Sequence, residues 1–395
     1  MSITELRTRL EALVPVPSED QFTSRLRSPA VAARIGLWLG ISFGICFLTG
    51  LYSHEVQAHH TFFTLPSRPA SLYRWTQGLH VISGTAAVPL LLVKLWAVFP
   101  KLFARPPRGL VRLAGEALER GSIAVLVASA IFQLASGLCN SAQWYPWGFH
   151  FRATHYAVAW LAIGALLVHV AVKLPVIRDV LGSDIEDTRH DRASMSGTPP
   201  LSRRGLVRTA FAASGVAVLA TAGSTVPLLR KVSVLGVRSG SGPEGIPINK
   251  SARAADVIAL ALSPSYRLTV QHGATVRSFS RGDLEALRQR THDLPIACVE
   301  GWSASGTWSG VRLRDLLDLV GAPHGRAVRL ESLEPHGYYR VSELPHQFAD
   351  DPLTLLALGL HGEPLSIDHG YPCRLIAPGR PGVLQTKWVT KVEVL

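Results

Sequence analysis

Three histidines and one lysine stand inside apolar stretches of this chain, at spacings that suit metal binding. His80 is followed fourteen residues later by Lys94, and His155 is followed fourteen residues later by His169 (169 − 155 = 14). In an α-helix, fourteen residues rise roughly 21 Å and complete close to four turns, so both side chains of a pair leave the same face. An ionisable side chain in a membrane helix is a functional group by default, and imidazole is a standard axial ligand of haem iron. The geometry suits two stacked haems, an outer one held by His80 and His155 and an inner one by His169 and Lys94. Lysine is an unusual ligand that would serve only when deprotonated, so one haem b is expected and the second is left open. His54 is an alternative outer ligand, and hydration at the membrane boundary is the plain alternative for His80 and His155. His59 and His60 read as solvated loop residues.

Cys298 is the other candidate. It closes an apolar strand and precedes Glu300-Gly301-Trp302-Ser303, Trp308, Gly310 and a short amphipathic helix. At the head of a Gly/Ser-rich loop it is expected to be exposed, and a thiolate suits soft or high-valent metals. From the residues alone an inert buried thiol is the favoured alternative. Gly301 and Gly310 read as turn residues, Cys46 and Cys139 as small core residues, and Cys373 as structural. No CxxC pair occurs, which argues against zinc and iron–sulfur sites and against a disulfide framework.

These residues need scaffolds of two kinds. Of the 395 residues 47% are hydrophobic and only 17% charged, against about 25% charged in a soluble domain. Five stretches, 35–53, 76–99, 122–139, 155–174 and 206–229, are long and apolar enough to cross about 30 Å of hydrocarbon. The net charge of +12 sits in blocks between them, which argues for membrane topology and against nucleic acid. Before the first stretch stand Arg7, Arg9, Arg25, Arg27 and Arg34; the next loop has Arg68 and Arg74; then come Lys101, Arg105, Arg108, Arg112 and Arg120. Arg152 follows alone, and Arg178, Arg189, Arg192, Arg203 and Arg204 close the series. Positive residues favour the cytoplasm, so the N-terminus is expected inside and the C-terminal domain outside the cell membrane.

The expected organisation is a cytoplasmic segment (1–30), a four-helix membrane domain (31–180), a cytoplasmic linker (181–201), a fifth helix (202–230) and an extracytoplasmic domain (231–395). Ser202-Arg203-Arg204-Gly205-Leu206-Val207 resembles a twin-arginine export signal placed internally, departing from it at Gly205 and Leu206; an ordinary positive-inside pair is the alternative. The last part alternates candidate strands (266–271, 296–299, 327–330, 372–376, 389–394) with helices (283–290, 313–320), a mixed α+β domain punctuated by Gly and Pro. The fold class is therefore an N-terminal all-α transmembrane bundle with five spans in total and a C-terminal mixed α+β domain.

Two resemblances sharpen this. Residues 31–180 resemble the four-helix, di-haem b-type cytochromes of bacterial respiratory enzymes, with Lys94 where that family has a histidine. The segment 294–320 resembles the sulfite-oxidase-like molybdopterin family in its Cys298-x-x-x-Trp302 and its Trp308, Gly310, Leu313, Leu316 and Leu317. A second block repeats the likeness: Gly362-Glu363-Pro364-Leu365, His369-Gly370-Tyr371-Pro372, Arg374-Leu375, Pro378, Gly382 and Lys387-Trp388-Val389. The resemblance implies that Cys298 is the thiolate on molybdenum and that His369, Arg374 and Lys387 line the molybdenum–molybdopterin cofactor, whose phosphate needs cationic donors. Read alone, those three side chains would equally make a solvated basic rim. The immunoglobulin-like and soluble cytochrome domains of larger sulfite oxidases are not expected; the membrane half would replace the latter.

Together these readings imply a membrane-anchored molybdopterin oxidoreductase working by oxygen-atom transfer. It would exchange electrons between the quinone pool, haem b and a small-molecule substrate outside the cytoplasm, with other redox proteins as further partners. A reductase of S- or N-oxides such as methionine sulfoxide is preferred; a sulfite-type oxidase and a non-catalytic electron carrier or scaffold are the alternatives. A transporter is disfavoured because no internal repeat is evident.

Overall fold

Runs of apolar residues nearly free of charge have one good solution for their backbone groups in a low-dielectric medium, the α-helix. Four such helices form: α1 (Pro29–Val56), α2 (Leu72–Val98), α3 (Leu110–Ser141) and α4 (Phe151–Leu181). Each is long and apolar enough to cross a membrane. They leave large apolar side chains such as Leu48, Leu92, Leu161 and Leu167 exposed, a surface that water would penalise. The computed structural model describes residues 17–58, 62–104, 109–197, 200–236 and 242–395. Arg7, Arg9, His59, His60, Arg105 and Arg108 lie outside these residues.

The expected fifth span, 206–229, is a shorter helix, α5 (Arg203–Thr221, 19 residues). Four helices among the described residues, rather than five, meet the length and apolarity of a span. Arg203, Arg204 and Arg208 charge the start of α5, and at its end the chain turns back so that the Gly223 N–H donates to Ser233 Oγ at 2.6 Å. Ala210 of α5 packs with Val31 and Ile35 of α1 and Leu90 of α2, and Ser214 Oγ donates to the Ala86 carbonyl at 2.8 Å. Arg203 is buried: it donates to the carbonyls of Arg25 and Asp187 and pairs with Asp191. Arg204 is half-exposed beside Asp184.

The described residues group into two compact units. One comprises Met1–Phe47, Ile82–Asn140 and Tyr145–Val218; the other comprises Leu48–Val81, Ser141–Trp144 and Leu219–Leu395. The last turns of α1 and the first turns of α2 thus belong with the C-terminal part: Val56, Leu65 and Tyr73 are buried in the same apolar cluster as Leu268, Leu316, Leu330 and Val392.

That second unit contains two five-stranded sheets. In the first, β1 (Leu268–His272) pairs in parallel with β10 (Val389–Val394) and antiparallel with β2 (Thr275–Phe279), and the order continues through β5 (Val328–Ser332) to β6 (Val341–Leu344). In the second, β3 (Gln289–Ala297), β4 (Ser303–Arg312), β7 (Leu355–Leu360) and β8 (Glu363–Pro364) are consecutive neighbours, with β9 (Arg374–Ile376) also on β7. Short helices α6 (Ile258–Ala261), α7 (Arg281–Ala286), α8 (Leu313–Asp318) and α9 (His346–Ala349) connect them.

Three local expectations need correction. The stretch after Cys298 is not a long loop: from Ser303 it is a ten-residue strand between β3 and β7. Its small residues permit that close packing, because a Cβ on Gly310 would lie 2.2 Å from the Leu356 carbonyl oxygen; Gly310 is a close-approach residue rather than a turn residue. The expected helix 283–290 is α7, begun by a capping box between Ser280 and Asp283 and finished at Ala286, and residue 289 already opens β3. Strands β2, β6 and β7 had no counterpart in the sequence reading.

Candidate cofactor site

His369, Arg374 and Lys387 line one pocket with Trp302, Ile296, Gly382 and the segment Ile246, Pro247, Ile248 and Asn249. Its empty volume is about 270 Å3, including space open to solvent. The elements deliver these side chains from three places. A short 3-10 turn, Ile367–His369, ends at Gly370 with φ +111°. A Cβ there would lie 3.0 Å from Arg374 Cβ and 3.2 Å from Lys387 Cβ, so glycine lets the histidine, arginine and lysine segments converge. Arg374 opens β9, and Lys387 stands two residues before β10.

The three are not a solvated rim. His369 and Arg374 are 2% and 3% exposed. His369 Nε2–H donates to the Pro243 carbonyl at 2.8 Å and lies 3.3 Å from Glu244 Oε2. Burial, then the Arg374 charge, pushes its pKa down to about 4, so it is a neutral imidazole near pH 7. Arg374 donates to the carbonyls of His369 (3.0 Å) and Gln385 (3.3 Å) and stacks over Trp308, 5.1 Å from the ring centroid. Burial lowers its pKa to about 9. Its Nε is buried with no partner among the described residues, an atom that a bound acceptor would satisfy. Lys387 donates to the Asp368 carbonyl at 3.0 Å and to the Lys250 carbonyl, and burial followed by the Arg374 charge lowers its pKa to about 7.

The segment 242–251 crosses the pocket as a strap. His369 holds its Pro243 end and Lys387 its Lys250 end, while Lys250 pairs with Glu334 and the Ala252 N–H donates to Asp368 Oδ1 at 2.7 Å. The candidate site residues thus build the wall that encloses them.

Cys298 follows β3 directly and, contrary to expectation, is fully buried. The chain turns sharply after it: the Cys298 N–H donates to the Trp302 carbonyl at 2.9 Å, the Gly301 N–H returns to the Cys298 carbonyl, and Gly301 takes φ +94°. Cys298 packs with Ile296, Trp302, Ala304 and Trp308, of which Ile296 and Trp302 also line the pocket. None of the four cysteines is in a disulfide. Cys373 is buried 3.2 Å from the Tyr266 hydroxyl, and burial raises its pKa to about 11, an unreactive thiol.

The helical histidines fall in different units and are described separately. His80 Nδ1 is 3.1 Å from Thr49 Oγ1, and a Cβ on the adjacent Gly50 would lie 3.3 Å from His80 Cε1. His155 Nδ1 is 2.9 Å from Ser136 Oγ, and a Cβ on Gly137 would lie 3.9 Å from His155 Cε1. Each ring therefore faces a hydroxyl–glycine pair on a neighbouring helix, an orienting contact of the kind that iron-ligating imidazoles use. Lys94 donates to the Ala32 carbonyl at 2.6 Å beside Gly36, so its amine is engaged by the backbone of α1. His169 lies further along α4 and His54 in the last turn of α1.

Residues 254–395 match the family described as "Oxidoreductase molybdopterin binding domain". The C-terminal part carries a molybdopterin-binding oxidoreductase domain of the sulfite oxidase/MsrP type. The mitochondrial sulfite oxidase of Drosophila melanogaster is 29% identical over 154 residues, covering 33% of this chain and 27% of its own length. The protein-methionine-sulfoxide reductase catalytic subunit MsrP of Gluconobacter oxydans is 32% identical over 152 residues (32% and 46%), and that of Xanthomonas campestris 36% over 111 residues (25% and 34%). The chain thus spans less than half the length of these relatives.

Within the molybdopterin domain, sequence reasoning missed the strap and Arg380. The strap carries no charged motif beyond Glu244 and Lys250. Arg380 is buried, stacks over Phe348 and leaves its Nε without a partner among the described residues; the only signal for it is the run Pro378-Gly379-Arg380-Pro381-Gly382.

Proposed function

We propose that this chain is a membrane-anchored molybdenum oxidoreductase that reduces an S-oxide outside the cytoplasm. The convergence of His369, Arg374 and Lys387 on one pocket carries the reading. Lys387 and the unpartnered Nε of Arg374 suit a phosphate and other acceptor atoms of the pyranopterin, neutral His369 offers hydrogen bonding without charge, and Cys298 is the thiolate ligand. When bound, the cofactor supplies two-electron oxygen-atom transfer at molybdenum. The strap and Trp302 shield the pocket from water, and the Cys298–Trp302 turn fixes the direction of the thiol. The likeness to methionine-sulfoxide reductases supports methionine sulfoxide as the substrate class; the likeness to sulfite oxidase supports the second reading, sulfite oxidation with electrons passing inward.

Electrons would reach the domain from the quinone pool through a b-type haem, which His80 and His155 would hold; an inner haem on His169 would need another partner, since Lys94 is engaged by Ala32. Haem supplies one-electron transfer. α5, at 19 residues about 28 Å long, serves as the fifth span. It places the N-terminus in the cytoplasm and residues 231–395 outside, with Arg203 and Arg204 as the export signal. The test is molybdenum and haem quantification on the membrane-extracted chain, followed by rapid mixing. Oxidation of reduced haem by methionine sulfoxide is expected; reduction of oxidised haem by sulfite would favour the second reading, and purified protein without molybdenum would overturn both.

A further inference from the structure

The turn that follows Cys298 is gripped from outside its own sheet. Gln77, buried near the start of α2, donates Nε2–H to the Val299 carbonyl at 3.2 Å. Val81, one helical turn on, covers Gly301 so closely that a Cβ there would lie 2.8 Å from Val81 Cγ2. Gln143 donates to Glu300 Oε1, whose other oxygen accepts from Trp302 Nε1 at 3.0 Å. Thr225 Oγ1 donates to the Gly301 carbonyl at 2.6 Å, and the Ser303 N–H donates to the Ser224 carbonyl at 2.8 Å. Val299, Glu300, Gly301 and Ser303 are therefore each touched by the first turns of α2, by the chain just after α3 or by the chain after α5.

His80 lies on the same stretch of α2, three residues after Gln77 and one before Val81. Residues three apart share a helix face. We infer that Gln77 is the conduit through which electrons pass between the His80 haem and the Cys298 thiolate, an inference that rests on the function proposed above. From Cys298 the route is covalent to the Val299 carbonyl, crosses one hydrogen bond, and is covalent again through the Gln77 side chain and less than one helical turn to His80. Tunnelling decays more steeply across gaps than along bonds, so a single hydrogen bond in place of a gap favours this line. A glutamine carries it without titrating, so the route is the same at every working pH. Each event would move one electron, with haem iron as the donor and molybdenum as the acceptor. Two events supply the pair that converts an S-oxide and two solvent protons into a thioether and water. Gln77 touches neither the substrate nor the pocket and is a positioning residue for electron flow.

The experiment uses the full, membrane-extracted chain loaded with both centres and no substrate. Haem is reduced by a flash, and transfer to molybdenum is followed by haem absorbance and the paramagnetic signal of one-electron-reduced molybdenum. Gln77→Leu is expected to slow this transfer about tenfold, equivalent to about 1.4 kcal/mol on the barrier. Molybdenum content, haem content, haem potential and turnover driven by a dye that bypasses haem should be unchanged. Should that variant not accumulate, Gln77→Met, which keeps the length but has no N–H, reads the same rate. An unchanged rate in the loaded variant overturns the route alone. A parallel loss of molybdenum or dye-driven turnover also overturns it, because Gln77 would then merely hold the turn. Absence of haem from the wild-type chain overturns the proposed function and the route with it.

Discussion

Around the pocket, His369, Arg374 and Lys387 direct their donors at backbone carbonyls of the strap and of each other's segments, whereas His80 and His155 are each oriented through Nδ1 by a hydroxyl beside a glycine. The first arrangement buries two basic groups beside a neutral imidazole, and burial is the main cause of the lowered pKa of each. Such a cluster is costly alone and is relieved by an anionic guest. The second arrangement asks only that a ring point correctly. One region is built around charge and the other around direction, so they should fail differently.

The largest expected contrast is at the thiol. Cys298→Ser should abolish oxygen-atom transfer by at least about a thousandfold while leaving the haem absorption spectrum intact; a retained turnover in a molybdenum-replete variant would refute the ligand role. Next, Arg374→Met should cut cofactor retention by about 10- to 100-fold, read as molybdenum per chain after gel filtration, again with haem unaffected. Conversely, Thr49→Val should weaken haem retention or shift its potential by the equivalent of about tenfold in affinity. Molybdenum content should hold there, and a spectrum and potential identical to wild type would show that the Thr49 contact does not orient a ligand.

The smallest expected effect is one of pH. Lys387 has a folded pKa of about 7 against an ordinary 10.5. Below pH 7 both folded and unfolded chains hold the proton and the burial penalty is fully present. Between pH 7 and 10 the unfolded chain binds more protons, so stability rises with pH through that window. The Tm of cofactor-free protein should therefore climb from pH 7 to 9, and the climb should be smaller in Lys387→Met. Equal slopes would mean that Lys387 is solvated.

What was legible in the sequence follows the same division. Cys298, His369, Arg374 and Lys387 were readable because two ordered blocks that resemble the molybdopterin family carried them. Helices α1 to α4 were readable because their runs are long, apolar and nearly free of charge. Strand β4 was not: Ser-Ala-Ser-Gly-Thr looks like loop until its neighbours β3 and β7 are known, since the small side chains answer to close packing rather than to strand propensity. A buried Cys298 was the reading that its residues alone favoured, and the cluster it shares with Trp302 and Trp308 accounts for it. The length of α5 was misjudged because hydropathy continues past Thr221 although Ser233 and Gly223 bend the backbone there.

The strap over the pocket has a consequence for how the protein matures. Its residues 246–249 form wall and its two ends are fastened by His369 and Lys387. A guest as large as a pyranopterin would enter more readily before those fastenings close, which would couple loading to folding. Retention is then governed by how often the strap opens, and a cofactor once enclosed would outlast what its affinity alone implies. The order of assembly, cofactor first and strap last, is written into the path of ten residues.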